Sequence, residues 1–275
     1  MLKIELPGSN ILFWVEDKAF DFLVEKELYN TFYPYAAFET NLPVFFQHND
    51  VFVCIDDKIY IEVCHRTLSC PYKGIMHAYK SVFAIIRENL QLQDNYAYIH
   101  GAAIIVEGYG FLLLAETGIG KSTLSVYMEQ EGGGICLTDD LIIVQKETRS
   151  ILPVSKYAHI RIEGKSLFKT GESMAYNHVT NRYNYLLSEK RFNRAWPIDC
   201  VLVLHRCDNK QAVLPSPMPM IGVLDNMFLP YQIKNNINSA ITISNAIPIF
   251  DMYYNNLEQA KKLMLSFDKK SRNDN

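Results

Sequence analysis

The fold of this chain is decided by residues 112–123, which read Leu112-Leu113-Leu114-Ala115-Glu116-Thr117-Gly118-Ile119-Gly120-Lys121-Ser122-Thr123. The apolar run at 111–114 predicts a buried strand, and a helical pattern follows from about residue 122 to 129. A short loop with two glycines lies between them. A strand, a glycine loop ending in Gly-Lys-Ser and a helix are the parts of a phosphate-binding loop, with Ala115 where the strict pattern has its first glycine.

The residue types in this loop predict a nucleoside triphosphate site. Gly118 and Gly120 let backbone N–H groups turn inward around phosphate oxygens, and the helix N-terminus adds the positive end of its dipole. We expect Lys121 to reach the β- and γ-phosphates and the Ser122 hydroxyl to hold Mg²⁺. The loop residues expected to contact the nucleotide are Ala115, Glu116, Thr117, Gly118, Ile119, Gly120, Lys121, Ser122 and Thr123, with the side chains of Glu116 and Thr117 given no role.

The composition is that of an ordinary globular protein of one large domain or two small ones, with 275 residues, 49% hydrophobic and 21% charged. A net charge of −3 argues against general nucleic-acid binding. The charge is uneven, however. Residues 1–95 hold 8 Lys/Arg and 13 Asp/Glu, whereas residues 146–194 hold 10 Lys/Arg and 4 Asp/Glu. The basic segment after the loop suits an anionic ligand or an acidic substrate segment.

The sequence contains no recognisable targeting or membrane segment. The first twenty residues lack an uninterrupted apolar core and a small-residue cleavage site, and no apolar run approaches the ~20 residues that span a bilayer. We therefore expect a cytoplasmic protein that binds neither membrane nor nucleic acid. Its six cysteines are expected to be reduced thiols. The grouping of Cys64, His65 and Cys70 lacks a second ligand pair at zinc spacing.

The chain is expected to divide into an α+β N-terminal region at 1–93, a P-loop domain at 94–268 and a disordered tail at 269–275. In the first region, the patterns predict strands at 11–15, 43–47, 51–55 and 58–63, a hairpin turn at 56–57, and helices at 17–28 and 75–90. No catalytic constellation is recognisable there. This leaves the region as either a lid on the nucleotide domain or a partner-recognition module.

The second region is predicted to be α/β. Strands are expected at 98–106, 111–114, 135–138 (ending in Asp139-Asp140), 141–145, 151–154, 201–205 and 247–253, with an extended segment at 157–162. Helices are expected at 166–172 and 257–267, and a polar loop at 177–184. Pro248 near the start of the last strand indicates a sheet edge.

The motifs and their spacing resemble a known family. A hairpin with His100-Gly101 on its first strand leads into the loop, and Asp139 follows Lys121 by only 18 positions, in the run Thr138-Asp139-Asp140. This combination resembles the HPr kinase/phosphorylase family over about 96–267 and, more distantly, the nucleotide core of phosphoenolpyruvate carboxykinases. It looks closest to the small HPr-kinase-like proteins found beside peptide-maturation enzymes, including lasso-peptide tailoring kinases. The resemblance implies a P-loop core of HPr kinase/carboxykinase type.

The resemblance also implies roles for single residues. Asp139 would be the general base and Asp140 the metal partner together with Ser122, although an Asp-Asp pair also suits a simple turn. His100 would hydrogen-bond Asp139 or the γ-phosphate, and Arg161 would clamp the transferred phosphate. Further basic candidates are Lys190, Arg191 and Arg194, whereas core positions are expected for Trp196, Met218, Met220 and Met227.

The chain departs from the bifunctional members of that family in two places. They carry Glu-aliphatic-Arg-Gly after the acidic pair, where this chain has His159-Ile160-Arg161-Ile162. Their C-terminal phosphorolysis signature is not recognisable here. These departures predict forward transfer without efficient dephosphorylation, and an acceptor other than HPr.

Taken together, the sequence predicts an ATP- (or GTP-) and Mg²⁺-dependent kinase whose acceptor is a hydroxyl, a Ser or Thr, of a peptide or small protein. One alternative is a small-molecule kinase on the same core. Another is a nucleotide-binding regulatory or maturation partner that hydrolyses ATP slowly and acts through its N-terminal region. A carboxykinase is disfavoured, because the chain is short for the usual substrate domain and lacks the arginine-rich signature. The sequence does not decide whether the protein forms a homo-oligomer.

Overall fold

The structure of the protein is a computed structural model. This structure describes residues 2–6, 9–15, 26, 28–31, 33–34, 36–38, 51–55, 58–63, 66–71, 95–168, 174–178, 180–227 and 233–271.

The N-terminal region contains a six-stranded sheet with the order β3-β1-β2-β4-β5-β6. Its strands are β1 Leu2–Leu6, β2 Ser9–Val15, β3 Ala36–Phe38, β4 Val51–Ile55, β5 Lys58–Val63 and β6 Arg66–Pro71. The strands predicted at 11–15, 51–55 and 58–63 are confirmed, and β4 pairs antiparallel with β5 across the predicted turn. Of the helix predicted at 17–28, the described residues Lys26 and Leu28 are helical. The strand at 43–47 and the helix at 75–90 lie outside the described residues.

The rest of the chain is mixed α/β. Its strands are β7 Tyr96–Val106, β8 Tyr109–Leu114, β9 Ile135–Gln145, β10 Ser150–Leu152, β11 Tyr157–Ile160, β12 Met174–Asn177, β13 Arg182–Leu186, β14 Trp196–Pro197, β15 Cys200–Arg206, β16 Ala212–Pro215 and β17 Ile249–Tyr254. The α-helices are α1 Lys121–Glu131, α2 Pro219–Leu224, α3 Ile233–Ala246 and α4 Leu257–Ser271, and two 3₁₀ helices cover Ile162–Leu167 and Glu189–Asn193.

A central eight-stranded sheet has the order β14-β10-β9-β7-β8-β15-β17-β16. The strand β8 lies in its middle, parallel to β15 and antiparallel to β7. Apolar side chains from β8 are buried on both faces, since Leu112 and Leu114 join one core cluster while Phe111 and Leu113 join another. A strand covered on both faces needs a continuous apolar run, which is the pattern that predicted it.

Helices cover the two faces of this sheet. The α1 residues Leu124 and Met128 pack in the cluster with Phe111, together with residues of α4. On the opposite face, Ala240 and Ile243 of α3 pack in the cluster with Leu112. The loop between β8 and α1 is therefore held between two buried elements. In the described part of the chain, no helix has the length and apolar character needed to cross a membrane.

A small sheet with the order β11-β13-β12 packs beside α1. Ala158, Ile160 and Tyr185 of this sheet form a core cluster with Val126 of α1. The loop predicted at 177–184 is partly wrong, because residues 178, 180 and 181 form a turn, whereas Asn177 and 182–184 belong to the antiparallel strands β12 and β13. The segment is polar, with exposed positions that give no apolar alternation. The helix predicted at 166–172 is also misplaced, since a 3₁₀ helix ends at Leu167 and 169–172 lie outside the described residues.

Three further predictions are corrected by the sheet and the last helix. β9 runs unbroken from Ile135 to Gln145, so Asp139-Asp140 lies within one strand and not at its end. Pro248 precedes β17, which pairs on both sides with β15 and β16 and is not an edge strand. α4 continues to Ser271, so 269–271 are helical and not part of a tail.

Asn30 and Tyr33 of the N-terminal region contact the rest of the chain close to the start of β11. Leu28 is fully buried, and the backbone N–H of Lys156 donates to the carbonyl oxygen of Asn30 at 2.6 Å. The ring of Tyr33 meets Phe192 edge to face, with centroids 5.0 Å apart. The N-terminal region thus contacts Lys156, just before β11, and the second 3₁₀ helix, although the described contacts do not choose between a lid and a partner module.

Candidate active site

The loop at 115–120 joins β8 to α1. Gly118 has φ +102°, a backbone conformation that favours glycine, and Nη1 of Arg161 lies 3.4 Å from the position that a Cβ would take there. Gly120 is the N-cap of α1 in the left-handed region and has no side chain to cap the helix. The first N–H groups of α1 consequently receive no side-chain cap from that position, an arrangement suited to an anion.

Lys121 lies against this loop. Its side chain is only 7% exposed, and Nζ donates to the carbonyl oxygen of Ala115 at 2.7 Å and to that of Glu116 at 3.4 Å. Burial lowers the pKa of the ammonium, against the opposing effect of Asp140 and Asp139. The ammonium is therefore poorly solvated and sits beside the loop, where a phosphate would gain most from it.

Asn226, which the sequence did not single out, connects the loop to its surroundings. Its Oδ1 accepts from the backbone N–H of Ala115 at 3.3 Å, and its Nδ2 donates to the carbonyl oxygen of Gly222 in α2 at 3.0 Å. Its own carbonyl oxygen accepts from the backbone N–H of His100 at 2.7 Å. One buried amide thus fixes the start of the loop relative to β7. No sequence signal identifies it, because its partners in the loop and in β7, Ala115 and His100, are more than a hundred residues away.

The acidic pair lies in β9 opposite Gly101 and Ala102 of β7, with Asp139 paired to Ala102 and Asp140 to Gly101, next to His100. A Cβ at residue 101 would lie 2.7 Å from the carbonyl oxygen of Leu113 in β8, so only glycine allows this close approach. Asp140 adopts φ +63°, a conformation uncommon for a non-glycine residue. In a regular strand, neighbouring side chains point to opposite faces of the sheet. The unusual conformation of Asp140 breaks this alternation, so the two adjacent carboxylates face the same partners.

Asp139 is the buried member of the pair, with 3% exposure. Its Oδ2 accepts from the backbone N–H of His159 at 2.9 Å. Its buried Oδ1 has no hydrogen-bond partner among the described residues. Burial and the charge of Asp140 raise the pKa of Asp139 from 3.8 to about 6, while the His159 N–H and the Ser122 hydroxyl act in the opposite direction.

Asp140 is the partly exposed member and is surrounded by donors. Its Oδ2 lies 3.1 Å from Nδ1 of His159 and 3.3 Å from Nη1 of Arg182, and its Oδ1 lies 3.6 Å from Nε2 of His100. Burial alone would raise the pKa of this carboxyl. The hydrogen bonds from His100 and His159 and the charges nearby outweigh burial and hold the pKa well below its usual range. The two carboxylates therefore have different electrostatic environments.

These opposite shifts predict opposite stability changes in metal-free protein. The folded state holds the Asp139 proton more tightly than the unfolded state, so ionisation of Asp139 costs stability as pH rises from about 4 to about 6. Asp139→Asn should therefore gain stability over wild type across that range, with little difference below it. Asp140→Asn should be less stable at pH 7, since the favourable contacts of a low-pKa carboxylate are lost. Thermal unfolding at pH 4 and pH 7 measures both; the same sign for both variants would contradict this electrostatic description.

The loop and Asp140 meet at a small cleft of about 90 Å³. Its lining residues are His100, Thr117, Gly118, Gly120, Lys121, Ser122, Thr123, Asp140, His159, Arg161 and Arg182. Most of the predicted site residues are therefore brought together. Among the described residues, Asp139 lies beside the lining and not in it, while His159 and Arg182 are lining residues to which the sequence gave no role.

The other basic candidates lie elsewhere. Arg191 is fully buried and donates to the carbonyl oxygens of Ser188 and Ser155, so it is a structural residue. The guanidinium of Arg194 stacks over the ring of Trp196 at 4.0 Å. The structure does not describe the side chain of Lys190. Of the methionines expected in the core, Met227 is buried, but Met218 is 60% exposed and Met220 also lies at the surface, so that expectation is wrong for those two.

The donor set at the acidic pair fits a hard divalent cation. Ligand atoms of Asp139, Asp140 and His159 lie within 4.8 Å of one another. Carboxylate and hydroxyl oxygens are the ligands that Mg²⁺ prefers, and the buried Oδ1 of Asp139 is without a partner among the described residues. The Asp140 carboxylate and the Ser122 hydroxyl are thus the oxygen donors that would hold Mg²⁺, with the Asp139 carboxylate beside them and His159 as hydrogen-bond donor to both carboxylates.

Comparison with known proteins supports the predicted resemblance. No protein-family model matches the chain. A segment of 87 residues is 28% identical to the HPr kinase/phosphorylase of Chlorobium phaeobacteroides, which covers 31% of this chain and 27% of that protein. The match therefore spans about a quarter of the curated relative's length. The HPr(Ser) kinase/phosphatase from Coxiella burnetii aligns in structure over 64% of this chain and 98% of its own, with 12% identity and a TM-score of 0.33. The predicted resemblance to the HPr kinase/phosphorylase family is thus confirmed as a sequence similarity of low identity over part of the chain.

Proposed function

We propose that the protein is an ATP- and Mg²⁺-dependent kinase that transfers the γ-phosphate to the hydroxyl of a serine in a peptide or small protein. The main support is the cleft at which loop residues between 117 and 123 meet Asp140, with the buried Asp139 next to Asp140 in β9. Phosphoryl transfer needs a phosphate cradle, a metal site and a carboxylate base near the same point. This cleft has residues suited to each of these tasks.

The loop would bind the triphosphate through backbone N–H groups and the uncapped start of α1. Lys121 would exchange its bonds to the carbonyls of Ala115 and Glu116 for stronger, charge-assisted bonds to phosphate oxygens. Arg161 lies beside Gly118, which places its guanidinium next to the loop. From there it would bind the γ-phosphate and stabilise the charge that develops during transfer.

The metal would be held by Ser122 and Asp140, with Asp139 as their neighbour. When bound, Mg²⁺ supplies charge neutralisation between the β- and γ-phosphate oxygens. The protein's part is to orient the ligands. His159 does this for both carboxylates, because its N–H holds Oδ2 of Asp139 and its ring holds Oδ2 of Asp140.

Asp139 is the proposed general base. A pKa of about 6 makes it a better proton acceptor near neutral pH than an ordinary aspartate. It would take the proton of the acceptor hydroxyl as that oxygen bonds to the γ-phosphorus and the bond to the bridging oxygen of ADP breaks. The His159 N–H fixes one carboxylate oxygen and leaves the other for this proton. Because Asp139 is buried, the acceptor hydroxyl must enter the cleft deeply.

The nature of the acceptor rests on two observations. The named relative is an HPr kinase/phosphorylase, and the sequence motifs resemble those of small HPr-kinase-like proteins found beside peptide-maturation enzymes. The cleft lining is also rich in basic side chains, namely His100, Lys121, His159, Arg161 and Arg182. Such a lining favours an acidic peptide around the reacting hydroxyl.

Incubation with γ-labelled ATP, Mg²⁺ and the small proteins encoded near its gene tests the proposal. We expect label on a peptide or protein, with phosphoserine identified by mass spectrometry. Label found only as inorganic phosphate would contradict the kinase and favour a nucleotide-hydrolysing maturation partner. Label on a small metabolite would instead indicate a small-molecule kinase.

The reaction is also expected to run in one direction. Without the phosphorolysis signature, phosphorylated product mixed with inorganic phosphate should release pyrophosphate far more slowly than forward transfer proceeds. Pyrophosphate release and forward transfer are compared under the same conditions. Rapid pyrophosphate formation would restore a bifunctional enzyme.

A further inference from the structure

The two oxygens of Asp140 differ in the number of donors that they receive. Oδ2 receives Nδ1 of His159 at 3.1 Å and Nη1 of Arg182 at 3.3 Å, whereas Oδ1 lies near Nε2 of His100 at 3.6 Å. A carboxylate oxygen has about two lone-pair sites. Oδ2 is therefore already occupied by donors, and a cation that uses it must displace one of them.

Arg182 is the donor that can leave more easily. The ring of His159 is 8% exposed, and its backbone N–H is bound to Asp139, so this residue is fixed at two points. Arg182 begins β13 at the cleft, and its side chain is 37% exposed. Releasing the guanidinium returns it to water or to another anion, which costs little.

We propose that a metal would bind Asp140 through Oδ2, that Arg182 blocks this oxygen in the nucleotide-free protein, and that Arg182 moves to the polyphosphate when nucleotide binds. This inference rests on the proposed function, because it takes Asp140 to be the metal partner. A guanidinium binds phosphate as well as it binds carboxylate, through paired N–H groups in one plane. Nucleotide thereby removes the cation that competes with the metal.

Nucleotide and divalent cation should then bind cooperatively, and the coupling must be reciprocal. Bare metal binds weakly, since it must displace a guanidinium from Asp140. Bare nucleotide also binds more weakly than with metal, since Arg182 is still held by Asp140. The protein would thus select the metal–nucleotide complex over either component alone.

Manganese binding to the full chain without nucleotide tests this coupling, with paramagnetic resonance of free Mn²⁺ as the readout. Arg182→Gln should bind Mn²⁺ about tenfold more tightly than wild type, within the 5–150-fold range of typical couplings. Arg161→Gln is the matched control, because it removes one positive charge from the same cleft. It should change the affinity much less. Adding Asp140→Asn to Arg182→Gln should abolish the gain.

Two further results separate the possible failures. Equal gains in Arg161→Gln and Arg182→Gln, or no gain in either, would overturn the inference, because the effect would then be one of general charge or absent. If wild type with a non-hydrolysable ATP analogue held no more Mn²⁺ than the analogue alone, the proposed metal–nucleotide site itself would fail. Circular dichroism and thermal unfolding confirm that each variant is folded.

Discussion

Lys121→Ala is expected to bind ATP roughly ten- to a hundredfold more weakly than wild type while remaining folded. A hydrogen bond to a charged group contributes about 1.5–3 kcal/mol, and each ~1.4 kcal/mol is a factor of ten in affinity. The ammonium is poorly solvated beside the loop, so its bonds to phosphate oxygens should lie in the upper part of that range. Titration calorimetry with Mg-ATP measures the loss.

The control for this variant is Lys165→Ala. Lys165 lies in the neighbouring 3₁₀ helix, stacks over the ring of Tyr183 at 4.6 Å and is not a lining residue of the cleft. It should bind ATP as wild type does. Lys121→Ala should also lose some thermal stability, because the carbonyls of Ala115 and Glu116 lose a donor. Unchanged ATP binding in a folded Lys121→Ala protein would show that the loop is not a phosphate site.

Asp139→Asn is expected to lower phosphotransfer by ~10² to 10⁴, the usual contribution of general base catalysis. The amide oxygen can still accept the His159 N–H, so the local geometry is kept while the basic site is removed. Mg-ATP affinity should be retained or slightly increased, because one negative charge near the γ-phosphate is gone. Single-turnover transfer and calorimetry give the two numbers separately.

Asp140→Asn should behave differently. Its carboxylate is the proposed metal partner, so its loss should weaken Mg²⁺ binding and, through it, the apparent affinity for ATP. The hydrogen bonds that the anion receives from His159 and Arg182 would weaken as well. Raising Mg²⁺ should restore part of the transfer activity of Asp140→Asn and none of that of Asp139→Asn.

The parts of the fold that could be predicted are those with local sequence signals. The apolar run of β8, the two glycines and the helix start of α1 follow one another within twelve residues, and each depends on its neighbours in sequence. Gly101 also depends on a neighbour close in sequence, because the next strand, β8, approaches β7 there too closely for a side chain. Short-range patterns therefore located the loop and the strand that faces the acidic pair.

The parts that could not be predicted depend on contacts between distant residues. Arg182 reaches Asp140 from 42 positions away, on a hairpin whose polar residues looked like a loop. Asn226 reaches Ala115 across 111 positions. Arg191 shows the opposite error, since a basic residue near the site is instead buried as a structural donor. Charge and residue type alone do not distinguish these environments.

The central claim is that the cleft transfers phosphate with Asp139 as base and Asp140 as metal partner. The most direct measurement is the transfer rate and the Mg-ATP affinity of Asp139→Asn and Asp140→Asn, side by side with wild type. We expect Asp139→Asn to lose transfer and keep its affinity for Mg-ATP, and Asp140→Asn to lose affinity for Mg-ATP. Equal, small effects of the two substitutions would contradict the proposed kinase activity. If only Asp140→Asn lost transfer while keeping its affinity for Mg-ATP, the roles of base and metal partner would be reversed.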